Sequence, residues 1–251
     1  MIRKTVADAT DQEPDFRWRG DEVTRIENLS DIVFALALGM LVSASTPPST
    51  YGDLLRFLLN ILPVAAGFAV MLQIWNQHFV FFRRYALTDR RVVLLNAVLL
   101  LFVLFFAYPI RFTFDSLFAW GLAIAGFPDR ILAMEVDFPE ASRILAIYAV
   151  GYAMIYVVFG LLYAHVWQRR DALGLNAEER VKTRQTQVVC WAMVLMALVV
   201  LPVVLFSPLG PIGGFLFLAS AGVRSGTARI VRWRMRGTAR PSGLHPSPDT
   251  R

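Results

Sequence analysis

Charge is scarce in this sequence, and so is cysteine. Of 251 residues only 18% are charged, while 56% are apolar. A soluble domain carries about 25% charged and 45–50% apolar residues. This shortage excludes a disordered chain and argues against an ordinary cytoplasmic enzyme. The lone cysteine, Cys190, excludes an intramolecular disulfide framework. Histidine is almost as rare. His78, His165 and His245 lie far apart and match no metal-ligand spacing. No G-x-S-x-G elbow and no phosphate-cradling glycine loop occurs, so the chain reads as a non-enzyme without metal or cofactor. Lysine appears only as Lys4 and Lys182, and such an arginine-heavy basic set suits a GC-rich bacterial genome.

Long apolar runs fill the space that charge leaves. They cover 29–46, 54–82, 92–110, 144–166, 188–206 and 209–223. Spanning a bilayer takes roughly 20 apolar residues, so six helical spans are expected, the glycine-rich sixth being the shortest. The fold expected is an all-α, six-helix membrane bundle over 25–228. It is flanked by a cytoplasmic arm (1–24) and by a basic segment with a Pro/Ser/Gly-rich tail (229–251). The arm holds no apolar h-region, so the first span is expected to act as its own insertion signal.

Arginine placement orients the spans. Arg56, Arg111, Arg130 and Arg143 fall on one side, and the other 21 of the 25 basic residues fall on the opposite side. That imbalance puts both termini in the cytoplasm, and a bacterial source would make the plasma membrane the site. The stretch 115–126 is apolar but too short to span, and reads as an interfacial or re-entrant helix on the outer side. At 229–236 arginine alternates with Ile230, Val231 and Trp233, which fits an anionic lipid surface better than nucleic acid.

Polar residues inside spans are costly and therefore candidates for function. Ser30 and Asp31 open the first span. Gln73, Asn76, Gln77 and His78 lie near the inner end of the second, and Asn96 lies just inside the third. All reach one depth and can meet, with Arg25 and Glu27 just below. Asp31 is expected to pair with Arg25 or to hydrogen-bond His78 and Asn96. Such a cluster is either glue between three helices or an ion- or proton-binding site. The first span also carries a face of Leu36, Met40 and Ser43 beside a small-residue stripe of Ala35, Gly39 and Ser43. Around a symmetry axis Leu36 and Met40 would form apolar constrictions that gate by dewetting; in a single bundle the same helix would be buried.

The run Arg25-Ile-Glu-Asn-Leu29-Ser30-Asp31 resembles the R-x-x-x-F-S-D signature of the transmembrane-protein-175 family of potassium-permeable channels. Trp75-Asn76-Gln77-His78 and the stretch from Asp89 to Asn96 fit the same family. The resemblance implies a six-helix subunit assembling as a homotetramer around a pore lined by the first helix. It implies constrictions at Leu36, Met40 and Ser43, and a network of Arg25, Ser30, Asp31, His78 and Asn96. Leu29 stands at the signature phenylalanine, and Gly39 at a threonine linked to potassium preference. The function expected is a passive cation channel with potassium as the permeant ion. A coupled transporter using Asp31 and His78, or a non-conducting scaffold, are the alternatives.

Overall fold

The computed structural model describes residues 16–20, 22–43, 48–134 and 136–207. Among them it is all-helical, with α1 at Arg25–Ser43, α2 at Tyr51–Leu59, α3 at Ile61–Tyr85 and α4 at Arg90–Ile124. The short α5 (Asp129–Ala133) follows, then α6 (Phe138–Gln168) and α7 (Ala177–Phe206). Five of these, α1, α3, α4, α6 and α7, are long and apolar enough to cross a membrane. The sixth expected span, 209–223, and the basic segment 229–236 lie outside the described residues.

Local chemistry sets the boundaries. The expected span 54–82 is two helices, because Asn60 interrupts it and Pro63 sits in the first turn of α3. A proline ring there clashes with continuation of the preceding turn, while its missing N–H costs nothing in a first turn. Helix α6 begins at a capping box: the Asp137 side chain accepts from the Glu140 N–H, and Glu140 accepts from the Asp137 N–H. Asn176 and Glu179 build the same device at the start of α7.

The third expected span requires the larger correction. Segment 115–126 is not a separate or re-entrant helix, because residues to Ile124 continue α4 as a single helix of 35 residues. At 1.5 Å per residue it is about 52 Å long, well beyond a hydrocarbon core of about 30 Å. Pro109 lies inside it without ending it. The charges between the two apolar stretches are paired along the helix, Arg111 Nε to Asp115 Oδ2 at 2.7 Å.

Helices α6 and α7 pack most extensively on each other. Helix α4 bridges them to α1 and α3, which also touch each other. Two glycines permit the closest approaches. A Cβ on Gly151 would lie 2.7 Å from the Phe106 ring, and one on Gly160 would lie 3.0 Å from the Trp191 ring. The core is aromatic at the α3 end, where Phe81, Phe82, Tyr85 and Tyr163 are all buried. Part of the expected cytoplasmic arm belongs to this body: Phe16 is buried edge-on to Tyr85, and Trp18, Arg19 and Gly20 are half-buried beside it.

Candidate functional site

The two faces of α1 differ sharply. Its buried residues are Glu27, Ser30, Phe34, Ala37 and Leu41, which repeat every three or four positions. On the opposite face Leu29, Ile32 and Leu36 are 57%, 67% and 56% exposed, and Gly39, Val42 and Ser43 are exposed with them. Nothing lies within 4 Å of a Cβ built on Gly39. Apolar side chains at this spacing form a stripe along the middle of a membrane-length helix, and none of the described residues covers it. Leu36, Gly39 and Ser43 lie on it. Met40 is half-buried against the core and flanks the stripe. Leu29 belongs to the exposed face and does not pack into the polar network.

The buried face is held by a three-residue polar knot whose proton positions follow from one another. The Ser30 hydroxyl donates to the Ile26 carbonyl at 2.8 Å, so its oxygen is free to accept. It accepts from Asn96 Nδ2 at 3.0 Å, which turns Asn96 Oδ1 toward His78 Nε2 at 2.9 Å. That oxygen can only accept, so His78 carries a proton on Nε2. Ser30, His78 and Asn96 are each at most 2% exposed. Phe34 and Phe82 flank the imidazole at ring distances of 5.5 and 4.7 Å. The knot joins α1, α3 and α4 at one depth.

The rest of the expected cluster divides. Asp31 is exposed and accepts from Trp75 Nε1 at 2.9 Å, and reaches neither Arg25 nor the knot by hydrogen bond. A helix turns 100° per residue, so neighbours Ser30 and Asp31 cannot both face inward. Arg25 is exposed, and among the described residues no hydrogen bond or ion pair holds its side chain. Gln73 donates to the Tyr156 hydroxyl at 3.0 Å and Gln77 to Cys190 Sγ at 3.1 Å, so both face α6 and α7. Asn76 is exposed.

Two polar groupings went unread in the sequence. At the end of α1 opposite the knot, buried Arg111 pairs with Asp115 and reaches the Leu41 carbonyl at 3.5 Å. Arg130 donates to Asn60 at 2.6 Å and approaches Asp115 at 3.5 Å, tying α5 to the break between α2 and α3. The i, i+4 spacing of Arg111 and Asp115 inside an apolar run was the available signal. At the knot end Asp89 caps α4, accepting from the Val92 N–H, and contacts His165 at 2.7 Å and Arg169 at 2.9 Å. Partial burial raises the Asp89 carboxyl, but the Val92 N–H, His165 and Arg169 outweigh it and hold it below the usual carboxylate range. The basic residues of the α3–α4 and α6–α7 connections therefore gather at one end of the molecule.

The fold and site define a multi-pass helical membrane protein whose first helix is locked on one side and bare on the other. Known proteins share the pattern. Residues 25–106 match the family described as Endosomal/lysosomal potassium channel TMEM175. A potassium channel of Marivirga tractuosa is 31% identical over 242 residues, 94% of this chain and 98% of the relative. A potassium channel of Chamaesiphon minutus is 30% identical over 58% of this chain and 87% of its own length. The crystal structure of a variant of the potassium channel MtTMEM175, in complex with a Nanobody-MBP fusion protein, superposes with a TM-score of 0.76. It is 32% identical, and the alignment covers 88% of this chain and 99% of that one. The chain belongs to the TMEM175 family. Its relatives are ion channels, not enzymes.

Proposed function

We propose that this chain is the subunit of a passive potassium-permeable channel in which copies of α1 surround the pore. The observation that carries the reading is the bare stripe Leu29, Ile32, Leu36, Gly39 and Ser43 on a helix whose other face is fully packed. In a monomer that stripe would merely meet lipid. In a homotetramer it meets its own copies, with Leu36 as an apolar ring and Gly39 widening the path one turn further out. An apolar ring passes ions when wetted and stops them when dry, so it can gate without a charged filter. Asp31 bonds Trp75 on the exposed side and His78 bonds Asn96 in the core, so the two residues a coupled carrier would use are not hydrogen-bonded to each other. The knot of Ser30, His78 and Asn96 then serves to fix the rotation of α1, keeping the stripe toward the axis.

The gathering of arginines at one end supports a cytoplasmic N-terminus, and a sixth crossing at 209–223 would return the C-terminus to the same side, in what we read as a bacterial plasma membrane. The basic segment 229–236 would rest on anionic lipid. Purified protein in liposomes tests the function. A preset potassium gradient should run down with no energy source, and the reversal potential should follow potassium rather than sodium. Saturable uptake driven by pH and abolished by Asp31→Asn would instead support a carrier, and absence of both flux and uptake would leave a scaffold.

A further inference from the structure

Glu179 opens α7, far in sequence from α1, yet it is 1% exposed and collects contacts from the segment leading into α1. The Arg19 guanidinium grips both its oxygens, Nη1 to Oε1 at 3.1 Å and Nη2 to Oε2 at 2.8 Å. The Arg17 backbone N–H donates to Oε1 at 3.1 Å. The same segment caps α3. The Arg19 and Gly20 N–H groups donate to the Arg83 carbonyl at 3.0 and 3.2 Å, and Arg83 Nη1 returns a bond to the Gly20 carbonyl at 2.9 Å. Phe16 lies beneath, with the Arg84 guanidinium 4.8 Å from its ring, and Trp18 meets Phe79 edge-on. Gly20 leaves no room for slack, because a Cβ there would lie 3.0 Å from the Phe82 carbonyl oxygen.

Helix α1 starts at Arg25, five residues beyond Gly20, and is capped by Thr24, whose hydroxyl oxygen accepts from the Glu27 N–H while its own N–H and O–H donate to the Glu27 carboxylate. Five residues span at most about 18 Å fully extended, so clamping residues 16–20 tethers the knot end of α1 within that reach. We infer that Glu179 is a positioning residue that fixes this end of α1 by clamping the residue 16–20 strap through Arg19. The strap ties α7 and α3 to the helix that, on the proposed function, lines the pore; the effect on ion flow rests on that reading.

Two variants separate the strap from general folding. Glu179→Gln keeps the shape and the acceptor for the Asn176 N–H, and Arg19→Gln leaves Glu179 and its capping box untouched. Spin labels on Asn28→Cys in α1 and Ala177→Cys in α7, both exposed sites, report the distance across the strap within one subunit. Native Cys190 is fully buried and escapes the label. Labelled subunits are diluted with unlabelled ones, and folded protein is selected by size-exclusion chromatography. Losing the charged pair should shift the ratio of held to released strap by roughly tenfold, so both variants should broaden a narrow distance distribution. Potassium flux per folded channel should change while the potassium-to-sodium reversal potential stays put. A distribution as narrow as wild type in both variants overturns the inference. Broadening with unchanged flux supports the strap and tells against α1 as the pore helix.

Discussion

Replacing Asn96 by leucine removes the centre of the polar knot without opening a void, since the two side chains are similar in size and branching. Ser30 keeps its bond to the Ile26 carbonyl and loses only a donor. His78 fares worse: its Nε2–H, at a ring 2% exposed, loses the only acceptor facing it in the knot. An orphaned buried donor costs about 1–3 kcal/mol. Pair couplings between membrane helices average about 0.6 kcal/mol and reach about 1.7. Asn96→Leu should therefore destabilise the subunit by about 2 kcal/mol, mostly through the stranded imidazole. The double variant Asn96→Leu/His78→Phe strands nothing, so it should recover most of the loss, because replacing both partners by apolar groups is nearly neutral. Reversible unfolding in mixed detergent micelles, followed by tryptophan fluorescence, measures all four corners of the cycle. A neutral Asn96→Leu, or a double variant weaker than the single, would refute the proton assignment on which the sum rests.

Other predictions concern the stripe and the two ends of the molecule. If α1 lines the pore as proposed, Leu36→Ala should raise potassium flux, as read by liposome flux per folded protein. Gly39→Thr meets open space in the subunit and should increase potassium preference in a bi-ionic reversal measurement. Arg111→Met breaks a partly buried ion pair but leaves Asp115 the Arg130 guanidinium at 3.5 Å, so it should cost about 1–3 kcal/mol in the same unfolding assay; no measurable cost would show that the pair does not stabilise the fold. Asp89 has a depressed carboxyl in the folded chain, so its contribution is complete above its unfolded value of about 3.9 and is lost as pH falls through the lower folded value. An acid titration of stability should show that loss in the wild type and not in Asp89→Ala.

The class of fold and the five membrane-length helices among the described residues were legible because hydropathy over twenty residues is a strong signal; the expected sixth span, 209–223, lies outside them. Boundaries were less so. Pro109 suggested an end to the third span, yet a proline within a helix is tolerated where neighbouring helices hold the turn, and α4 runs on to Ile124. Asn60 broke a run that composition alone shows as continuous. Candidate site residues divide the same way. Depth along a helix is readable from position, which is why Ser30, His78 and Asn96 were expected together. Azimuth is readable only when the packed face is known. Asp31 and Gln77 shared the right depth and pointed elsewhere, and Leu29 sat in the signature run yet faced outward. Contacts such as Arg19 to Glu179, 160 residues apart, leave no local pattern, so the strap could be found only in three dimensions.

The central claim is that the bare face of α1 borders a water-filled ion path, and thiol chemistry tests it most directly. A Leu36→Cys variant, studied in planar bilayers with a potassium gradient, offers a thiol at that face while Cys190 stays buried. The account predicts that a small, charged, membrane-impermeant thiol reagent will block the potassium current, and that reduction will restore it. A current untouched by the reagent, in a variant whose cysteine is labelled from the lipid side by a hydrophobic maleimide, would contradict it.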